Sequence, residues 1–389
     1  MKIGIINFHY AYNYGAVLQC TALKRKLENM GNEVVVIDYR PSYQQQYYME
    51  YPNPFSSAMW AYRKFKHQGL GCRLYHMFGR FVRVLLTYRE AGKRRKLREG
   101  FEPFTESHLN LTKRYRTYRA LKKDAPVCDV YICGSDQLWN PSVTWGLDPA
   151  YFLNFGSRNV KRIAYAVSPC SQLNVYEYAQ ELKRFGRVLN YVSLREAEKQ
   201  IELEKLFGKN IDICLDPTLF LNEKEYADYE TDISDIGTSY ILVYAFADDD
   251  QNQSIFEVVK EVSHKLKLKV IDVSIDDLAW PYKVERRLGT SPGEFLTYIK
   301  KSAYVITNSV HGTVFSIVYH KNFLTVPKNR TSSRMSELLK SLGLSERLVV
   351  SSNRQKIPYD SLIDYTCVNK SLEKLCAHGQ SYLENSLKT

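Results

Sequence analysis

The first stretch of the chain alternates short apolar runs with one amphipathic segment. The runs KIGIINF (residues 2–8) and EVVVIDY (33–39) are rich in β-branched residues, which is typical of buried strands. Between them, residues 15–30 have apolar side chains at helical spacing, and Gly31 follows as a stop signal. Strand, helix and strand in this order predict a βαβ unit, and runs such as VVVI indicate a parallel sheet covered on both faces.

The same alternation returns twice further along the chain. Strand-like runs continue as far as Asp216, and a second series begins after the polar stretch at residues 230–239. The further predicted strands are residues 130–133, 162–168, 191–196 and 211–216, and then 240–246, 269–275, 304–307 and 323–326. The pattern predicts an α/β fold with two parallel sheets in tandem, whose strand ends face a cleft where ligands of such folds bind.

This alternation also predicts how the chain divides. At 389 residues it is long enough for two domains of about 150–200 residues each. We expect an N-terminal domain over residues 1–225, with an insertion at about 45–125, and a C-terminal domain over residues 226–365. Residues 366–389 are expected to form a helix that crosses back to the first domain.

Composition narrows the class of protein. Hydrophobic residues make up 44% of the chain, and no run approaches 18 uninterrupted apolar residues, so we expect a soluble cytoplasmic protein. The eight cysteines contain no C-x-x-C pair, which favours reduced core thiols over a zinc site or a disulfide framework. We expect no metal and no cofactor.

The net charge of +12 is concentrated in the insertion. Residues 60–123 contain 18 Lys and Arg against four Glu and no Asp, whereas the rest of the chain is close to neutral. The insertion is expected to form amphipathic helices with a basic face, which either docks on anionic lipid headgroups or a phosphate-bearing lipid carrier, or is an ordinary solvated face. No nucleic-acid motif accompanies this charge, so we expect no nucleic-acid partner.

Four loops follow predicted strands and carry polar residues or glycine. The first, HYAYNYGA (residues 9–16), lacks both G-x-G-x-x-G and GK[ST], which argues against a dinucleotide and against ATP hydrolysis. Gly15 would let a ligand approach the backbone closely. Asn13 and the three tyrosines, Tyr14 among them, have the chemistry to hold a sugar by stacking and hydrogen bonds.

The second loop is GSDQLWNP, residues 134–141. Its polar start suits a ligand rich in hydroxyl groups, and Asp136 is the candidate general base. The alternative is a helix cap followed by core aromatic packing. If the loop binds a ligand, the contacts are expected from Gly134, Ser135 and Gln137.

The remaining two loops supply a guanidinium and an imidazole. Arg195 closes an otherwise apolar strand, where it either grips a carboxylate or phosphate or forms a surface pair with a neighbouring glutamate. His311 lies in NSVHGTVFS (308–316), between a predicted strand and a predicted helix. Helix N-termini bind anions, so we expect a phosphate or carboxylate here. The expected binding residues in this loop are Asn308, Ser309, Gly312 and Thr313.

Five motifs in order carry a family resemblance. NYGAVLQ, DVYICGSDQLWNP, SLRE, LDPTLFL and ITNSVHGTVFSI resemble the polysaccharide pyruvyl transferase family from Lys2 to about Arg347, apart from the insertion. The resemblance implies two Rossmann-like domains similar to glycosyltransferases of the B type. It also implies transfer of an enolpyruvyl unit from phosphoenolpyruvate (PEP) to sugar hydroxyls as a pyruvate ketal. The family's donor-binding arginine falls on Arg195 and its catalytic histidine on His311.

One position departs from the family pattern. Many members have an arginine two residues before the histidine, in R-L-H, whereas this chain has Ser309 in S-V-H. PEP carries both a carboxylate and a phosphate, so its binding needs cations. The downstream loop KNRTSSR offers Lys328, Arg330 and Arg334 as replacements.

The residues and the resemblance together predict a mechanism. His311 is expected to act as general acid on the methylene carbon of PEP, an effect typically worth about 10²- to 10⁴-fold. Arg195 would bind the carboxylate or phosphate, and the N–H groups of Gly312 and Thr313 would take the remaining charge. The acceptor is expected to be a lipid- or nucleotide-linked sugar.

Two other functions fit the same features. A nucleotide-sugar glycosyltransferase shares the two-domain cleft and would also use an anion-binding helix. A membrane-associated scaffold would need the basic insertion but neither Arg195 nor His311. A peripheral position at the inner face of the membrane is compatible with both the enzyme and the scaffold.

Overall fold

The computed structural model describes residues 1–45, 47–64, 69–170, 173–234, 236–237, 239–247, 252–327, 332–350 and 358–388. Within these ranges, eleven strands are numbered in chain order. They are β1 Lys2–Ile6, β2 Glu33–Val36, β3 Val130–Cys133, β4 Lys161–Val167, β5 Tyr191–Leu194, β6 Asp212–Ile213, β7 Tyr240–Tyr244, β8 Lys269–Asp272, β9 Glu285–Arg286, β10 Tyr304–Thr307 and β11 Phe323–Thr325.

Fifteen α-helices are described in the same part of the chain. They are α1 Tyr14–Asn29, α2 Ser42–Gln45, α3 Pro54–Lys64, α4 Leu70–Leu86, α5 Ala91–His108, α6 Tyr118–Lys123, α7 Pro141–Thr144, α8 Ala179–Gly186, α9 Gln200–Phe207, α10 Glu223–Tyr226, α11 Asn252–Leu266, α12 Pro292–Lys301, α13 Val310–Val318, α14 Ser332–Ser341 and α15 Tyr365–Lys388.

The strands form two parallel sheets, as the sequence predicts. The first has the order β2-β1-β3-β4-β5-β6 and the second β11-β10-β7-β8-β9. In the first sheet, Ile5 pairs with Val36 and Ile6 with Cys133, and the residues of β3 are all buried. This double-sided burial explains why the strands read as continuous apolar runs. The short edge strand β9 was not predicted, since two residues give no readable periodicity.

The division of the chain follows the two sheets. Every strand of the first sheet precedes residue 225 and every strand of the second follows it, although the exact domain limits stay predictions. Helix α15 packs back on the first sheet through Tyr382, Leu383 and Leu387, and Lys161 Nζ donates to the Leu387 carbonyl at 3.0 Å.

The insertion forms helices α2 to α6 between β2 and β3. Leu97 and Phe101 of α5 are buried in the same core as the second sheet, so this helix touches both halves of the molecule. Helices α3 and α4 lie further out, and Val84 is the one buried residue described on α4.

Two features are absent from the described residues. No helix there is both long and apolar enough to cross a bilayer. No group of three or more His, Cys, Asp or Glu side chains in the same residues is arranged to hold a metal ion.

Candidate functional site

Three functional side chains meet where the carboxyl ends of the two sheets approach each other. Arg195 follows β5, Asp216 follows β6, and His311 lies in the first turn of α13, which follows β10. Arg195 Nη1 donates to Asp216 Oδ2 at 2.6 Å, and His311 Nε2 lies 3.4 Å from the same oxygen. The carboxylate of Asp216 therefore joins a guanidinium of the first sheet to an imidazole of the second.

Asp216 is held ionised by this arrangement. Burial by itself would raise its pKa, but His311, Arg195 and the Thr218 N–H together hold the pKa well below its ordinary value of 3.8. Its second oxygen, Oδ1, accepts from the Thr218 amide at 3.0 Å and from the Thr218 hydroxyl at 2.7 Å. Asp216 is thus a fixed negative charge between a guanidinium and an imidazole.

Arg195 is surrounded by carboxylates. Its Nη2 lies 4.0 Å from Asp136 Oδ1, and its Nε lies 3.7 Å from Glu196 Oε2. The desolvation of burial would lower the pKa of Arg195, but the Asp216, Glu196 and Asp136 charges more than offset it, and the pKa is raised. Its Nε has no hydrogen-bond partner among the described residues. The alternative of an ordinary surface pair is wrong, because only 9% of the Arg195 side chain is exposed.

His311 is held by both halves of the molecule. Its ring packs against Gly15 at the start of α1, where an added Cβ would lie 2.0 Å from Nδ1. Its Nε2 faces Asp216 and makes no hydrogen bond to any described residue. Gly15 therefore leaves room for the imidazole ring, and the space that we predicted for a ligand is taken by His311.

A cavity of about 210 Å³ opens beside this cluster. Arg195, Glu196 and Asp216 line one side, and Val310 and Glu337 line another. The amide groups of Val310 and His311 occupy the first two positions of α13, where no partner exists within the helix. The lining of the cavity brings Arg195 together with three carboxylates, and most of its other lining residues are apolar.

A second cavity, of about 350 Å³, lies under the loop after β1. Tyr10, Tyr12, Tyr48 and Arg40 are among its lining residues. Burial raises the pKa of Tyr48, and the Asp136 charge adds to that effect. The charge of Asp136 therefore acts on a lining residue of this cavity as well as on Arg195.

The structure corrects the predicted roles in the first loop. Tyr14 does not face a ligand: only 1% of it is exposed, its ring stacks on Phe295 at 4.2 Å, and its hydroxyl donates to the Val273 carbonyl. Asn13 is the N-cap of α1, where its side chain accepts from the Ala16 N–H. Of the three tyrosines, Tyr10 and Tyr12 line a cavity and Tyr14 joins the two domains.

The loop after β3 is partly structural. Ser135 is buried, with its hydroxyl donating to the Ala166 carbonyl and its amide donating to Gln19. Gly134 is required, because an added Cβ would lie 2.0 Å from the Tyr165 carbonyl oxygen. Gln137 accepts a hydrogen bond from Asn140, and Asp136 retains 20% side-chain exposure. The alternative of a helix cap and core packing holds for Asn140 and Trp139, while Asp136 is left facing the cluster.

The predicted anion site on α13 also needs correction. Ser309 caps the helix: its hydroxyl accepts from the Gly312 N–H and its carbonyl accepts from the Thr313 N–H, so neither amide is free for a ligand. Asn308 pairs through both side-chain atoms with the backbone of Phe246. The amides of Val310 and His311, at the first two positions of the helix, are the ones in this turn that have no partner within the helix.

Three predicted cations cannot be placed. Lys328 and Arg330 lie outside the described residues, as does the side chain of Arg334. Arg334 nevertheless belongs to α14, one turn before Glu337 and Leu338, which line the 210 Å³ cavity.

Sequence reasoning missed Asp216 and Glu196 as site residues. Asp216 was noted only as the end of a predicted strand, although Arg195 lies at the end of one as well. The rule that ligands bind at the carboxyl edge of parallel strands was therefore enough to find Asp216.

Comparison with solved structures gives matches along nearly the whole chain at low identity. A UDP-N-acetylglucosamine 2-epimerase from Listeria monocytogenes is 11% identical with a TM-score of 0.48, and the match covers 98% of this chain and 89% of that one. The UDP-GlcNAc 2-epimerase of Methanocaldococcus jannaschii is 13% identical with a TM-score of 0.46, covering 96% and 92%. That of Neisseria meningitidis, bound to UDP-GlcNAc, is 9% identical with a TM-score of 0.46, covering 98% and 93%.

Sequence comparison is more specific. No curated protein matches the chain. The family model of polysaccharide pyruvyl transferases matches residues 13–327, which include Arg195, Asp216 and His311. The chain belongs to the polysaccharide pyruvyl transferase family.

Proposed function

We propose that the protein moves the enolpyruvyl unit of PEP onto two hydroxyls of a sugar, in a surface polysaccharide or its lipid-linked precursor, and closes a pyruvate ketal. The observation that carries the proposal is the joining of Arg195 and His311 through Asp216, at 2.6 and 3.4 Å, beside a cavity. Family membership sets the reaction class, and the cluster supplies a cation and a proton carrier for it.

The donor is proposed to bind in the 210 Å³ cavity. Arg195 Nε, which has no partner among the described residues, would donate to the carboxylate or phosphate of PEP. The amides of Val310 and His311 would donate to the same ligand at the helix N-terminus. Arg195 alone cannot neutralise the negative charge of PEP, because Glu196 and Asp216 lie beside it. Arg330 or Arg334 is therefore proposed to supply the missing positive charge.

His311 is proposed to deliver the proton. Its Nε2 makes no hydrogen bond to any described residue and borders Asp216, whose fixed negative charge would balance a positive charge on the ring. A proton passes from Nε2 to the methylene carbon of PEP, which becomes a methyl group. The oxocarbenium-like centre that forms at the adjacent carbon lies beside the donor's carboxylate.

The acceptor is proposed to bind in the tyrosine-lined cavity of about 350 Å³. Tyrosine rings hold sugars by stacking and hydrogen bonding. Asp136 lies 4.0 Å from Arg195, and its charge acts on Tyr48 of this cavity, so it is proposed as the base for the attacking hydroxyl. One hydroxyl oxygen bonds to the donor's central carbon as its proton passes to Asp136, and phosphate leaves with the electron pair of its C–O bond. The second hydroxyl oxygen then closes the ring, and its proton passes to the departing phosphate.

The acceptor is proposed to be linked to a lipid or a nucleotide, and the reaction to take place in the cytoplasm at the inner face of the membrane. The basic insertion supports a membrane-bound acceptor, since its excess of positive charge would attract anionic headgroups.

His311→Ala tests the proposal. Wild-type protein with PEP and a galactose- or mannose-type acceptor should release phosphate and add one pyruvyl unit, and the variant should lose at least about 100-fold in turnover. His320→Ala is the matched control, because this histidine lies just beyond the same helix and is exposed. Ketal formation by His311→Ala at the wild-type rate, or release of nucleotide from a nucleotide sugar in place of phosphate from PEP, would overturn the proposal.

A further inference from the structure

Exposed apolar side chains are concentrated on the outer part of the insertion. Of the 19 large hydrophobic residues exposed in the described part of the chain, 12 lie between Tyr47 and Leu86. Soluble surfaces seldom gather large apolar side chains in this way without a partner. The insertion is therefore the part of the molecule that most needs a covering surface.

Helix α4 carries most of these residues on one side. We call them the α4 apolar face, and they are Leu70, Leu74, Tyr75, Phe78, Val82, Leu85 and Leu86. Their spacing of three, four and seven residues places them on one stripe of the helix. Phe78 is 67% exposed and Tyr75 is 75% exposed.

The opposite side of α4 faces the protein but is only lightly packed. Val84 is buried, and Phe81 meets Phe55 of α3 edge to face at 5.1 Å. The Arg80 guanidinium lies 5.0 Å from the Trp145 ring. Since a helix in a protein is stabilised chiefly by burying its apolar stripe, α4 presents to solvent the side that would stabilise it most.

The net charge of the insertion indicates which kind of partner covers the α4 apolar face. Residues 60–123 carry an excess of 14 positive charges, and Arg83 and Arg89 are exposed on or next to α4. A second copy of the chain would place this charge against itself, whereas anionic headgroups would neutralise it. An exposed apolar stripe flanked by basic residues is the pattern of a helix that lies in a membrane interface.

We infer that the α4 apolar face, with the basic residues beside it, docks on the surface of an anionic phospholipid bilayer. Helix α4 lies along the bilayer with its apolar stripe among the headgroups and upper acyl chains. This docking requires neither PEP nor the residues of the cleft, so the inference does not depend on the proposed reaction. If the proposed reaction holds, α5 connects this surface to the cleft, since Glu102 of α5 lines the tyrosine-lined cavity.

Vesicle sedimentation of the full chain tests the inference. Vesicles of phosphatidylcholine with phosphatidylglycerol should bind wild-type protein, and added salt should weaken that binding. The double substitution Phe78→Asp with Leu85→Asp should weaken partitioning at least about tenfold, because charges replace the inserted apolar groups. Ile201→Asp is the matched control: Ile201 is 64% exposed on α9, outside the insertion, and the variant should bind as wild type does.

Two further variants test whether the basic residues contribute to vesicle binding and whether vesicle binding is independent of the proposed reaction. Arg83→Glu with Arg89→Glu should weaken binding to the anionic vesicles, and His311→Ala should bind them as wild type does even though the proposed reaction is lost. The inference would be overturned if the Phe78/Leu85 variant bound the anionic vesicles as wild type does, or if vesicle binding by wild type did not weaken with added salt. The inference would also be overturned if sedimentation velocity showed that wild type is a dimer and that the Phe78→Asp, Leu85→Asp variant is a monomer. A second copy of the chain would then be the partner of the α4 apolar face.

Discussion

At the residue scale, the functional roles depend on contacts between distant parts of the chain. Arg195 and His311 could be selected from sequence because each follows an apolar strand. The same rule could have found Asp216, but its role could not be predicted from sequence. That role depends on two partners that follow strands of different sheets. The free amides of Gly312 and Thr313 were a wrong prediction, because Ser309 was judged by the arginine it replaces and not by its capping hydroxyl.

Gly15 gives the sharpest test at this scale. In Gly15→Ala the new Cβ would lie 2.0 Å from His311 Nδ1, so the ring must leave its present position beside Asp216. We expect activity to fall at least about 100-fold, the order of effect of losing a positioned acid, while far-UV circular dichroism stays unchanged.

Gly92→Ala is the control for that substitution. Gly92 is also the second residue of a helix, α5, and has no atom within 4 Å of an added Cβ. It should keep wild-type activity. Full activity in Gly15→Ala would show that the position of His311 against α1 does not matter for the reaction.

At the element scale, the sequence predicted the strands and main helices well but not their ends. Strand β2 was expected to run to residue 39 and ends at Val36, because the Tyr39 amide turns back to the Ile37 carbonyl and Asp38 pairs with charged neighbours. Apolar runs identify buried strands, whereas the end of a strand is decided by such long-range partners. The exposed side of α4 escaped prediction because an apolar stripe is ordinarily expected to face a core.

Asp38, just beyond β2, predicts a pH dependence of stability. Burial would raise its pKa, but His9, Arg40 and Arg114 lower it below the ordinary 3.8. Below pH 3.8 the unfolded chain therefore binds a proton that the folded chain does not, and the stability that Asp38 contributes, complete above that pH, is lost as the pH falls.

Comparison with Asp38→Asn isolates this contribution. Wild type should be the more stable protein at pH 6, and the difference in free energy of unfolding should shrink by about 1 kcal/mol on going to pH 3. Urea unfolding of both proteins at the two pH values measures it. A difference that stays constant, or grows in acid, would mean that the pKa of Asp38 is not lowered by folding.

At the scale of the whole molecule, a shared hydrophobic core joins helices of the first half to the second sheet, and bridging side chains reinforce it. The Tyr14 ring of α1 stacks on Phe295 of α12, the His311 ring rests on Gly15, and Asp216 lies between Arg195 and His311. The sequence predicted two parallel sheets and a cleft from alternation alone. The sequence could not predict which side chains span that cleft. The periodicity of apolar residues describes each sheet separately and carries no information on how one sheet is placed relative to the other.

The central claim is that this junction binds PEP, and calorimetric titration of PEP tests it most directly. Wild-type protein should bind one PEP per chain, and Arg195→Gln should bind at least about tenfold more weakly, because a charge-assisted hydrogen bond is lost. Ile201→Asp, which alters an exposed residue outside the insertion, should bind PEP as wild type does. No detectable heat of PEP binding to wild type, or equal affinity in Arg195→Gln, would contradict the account.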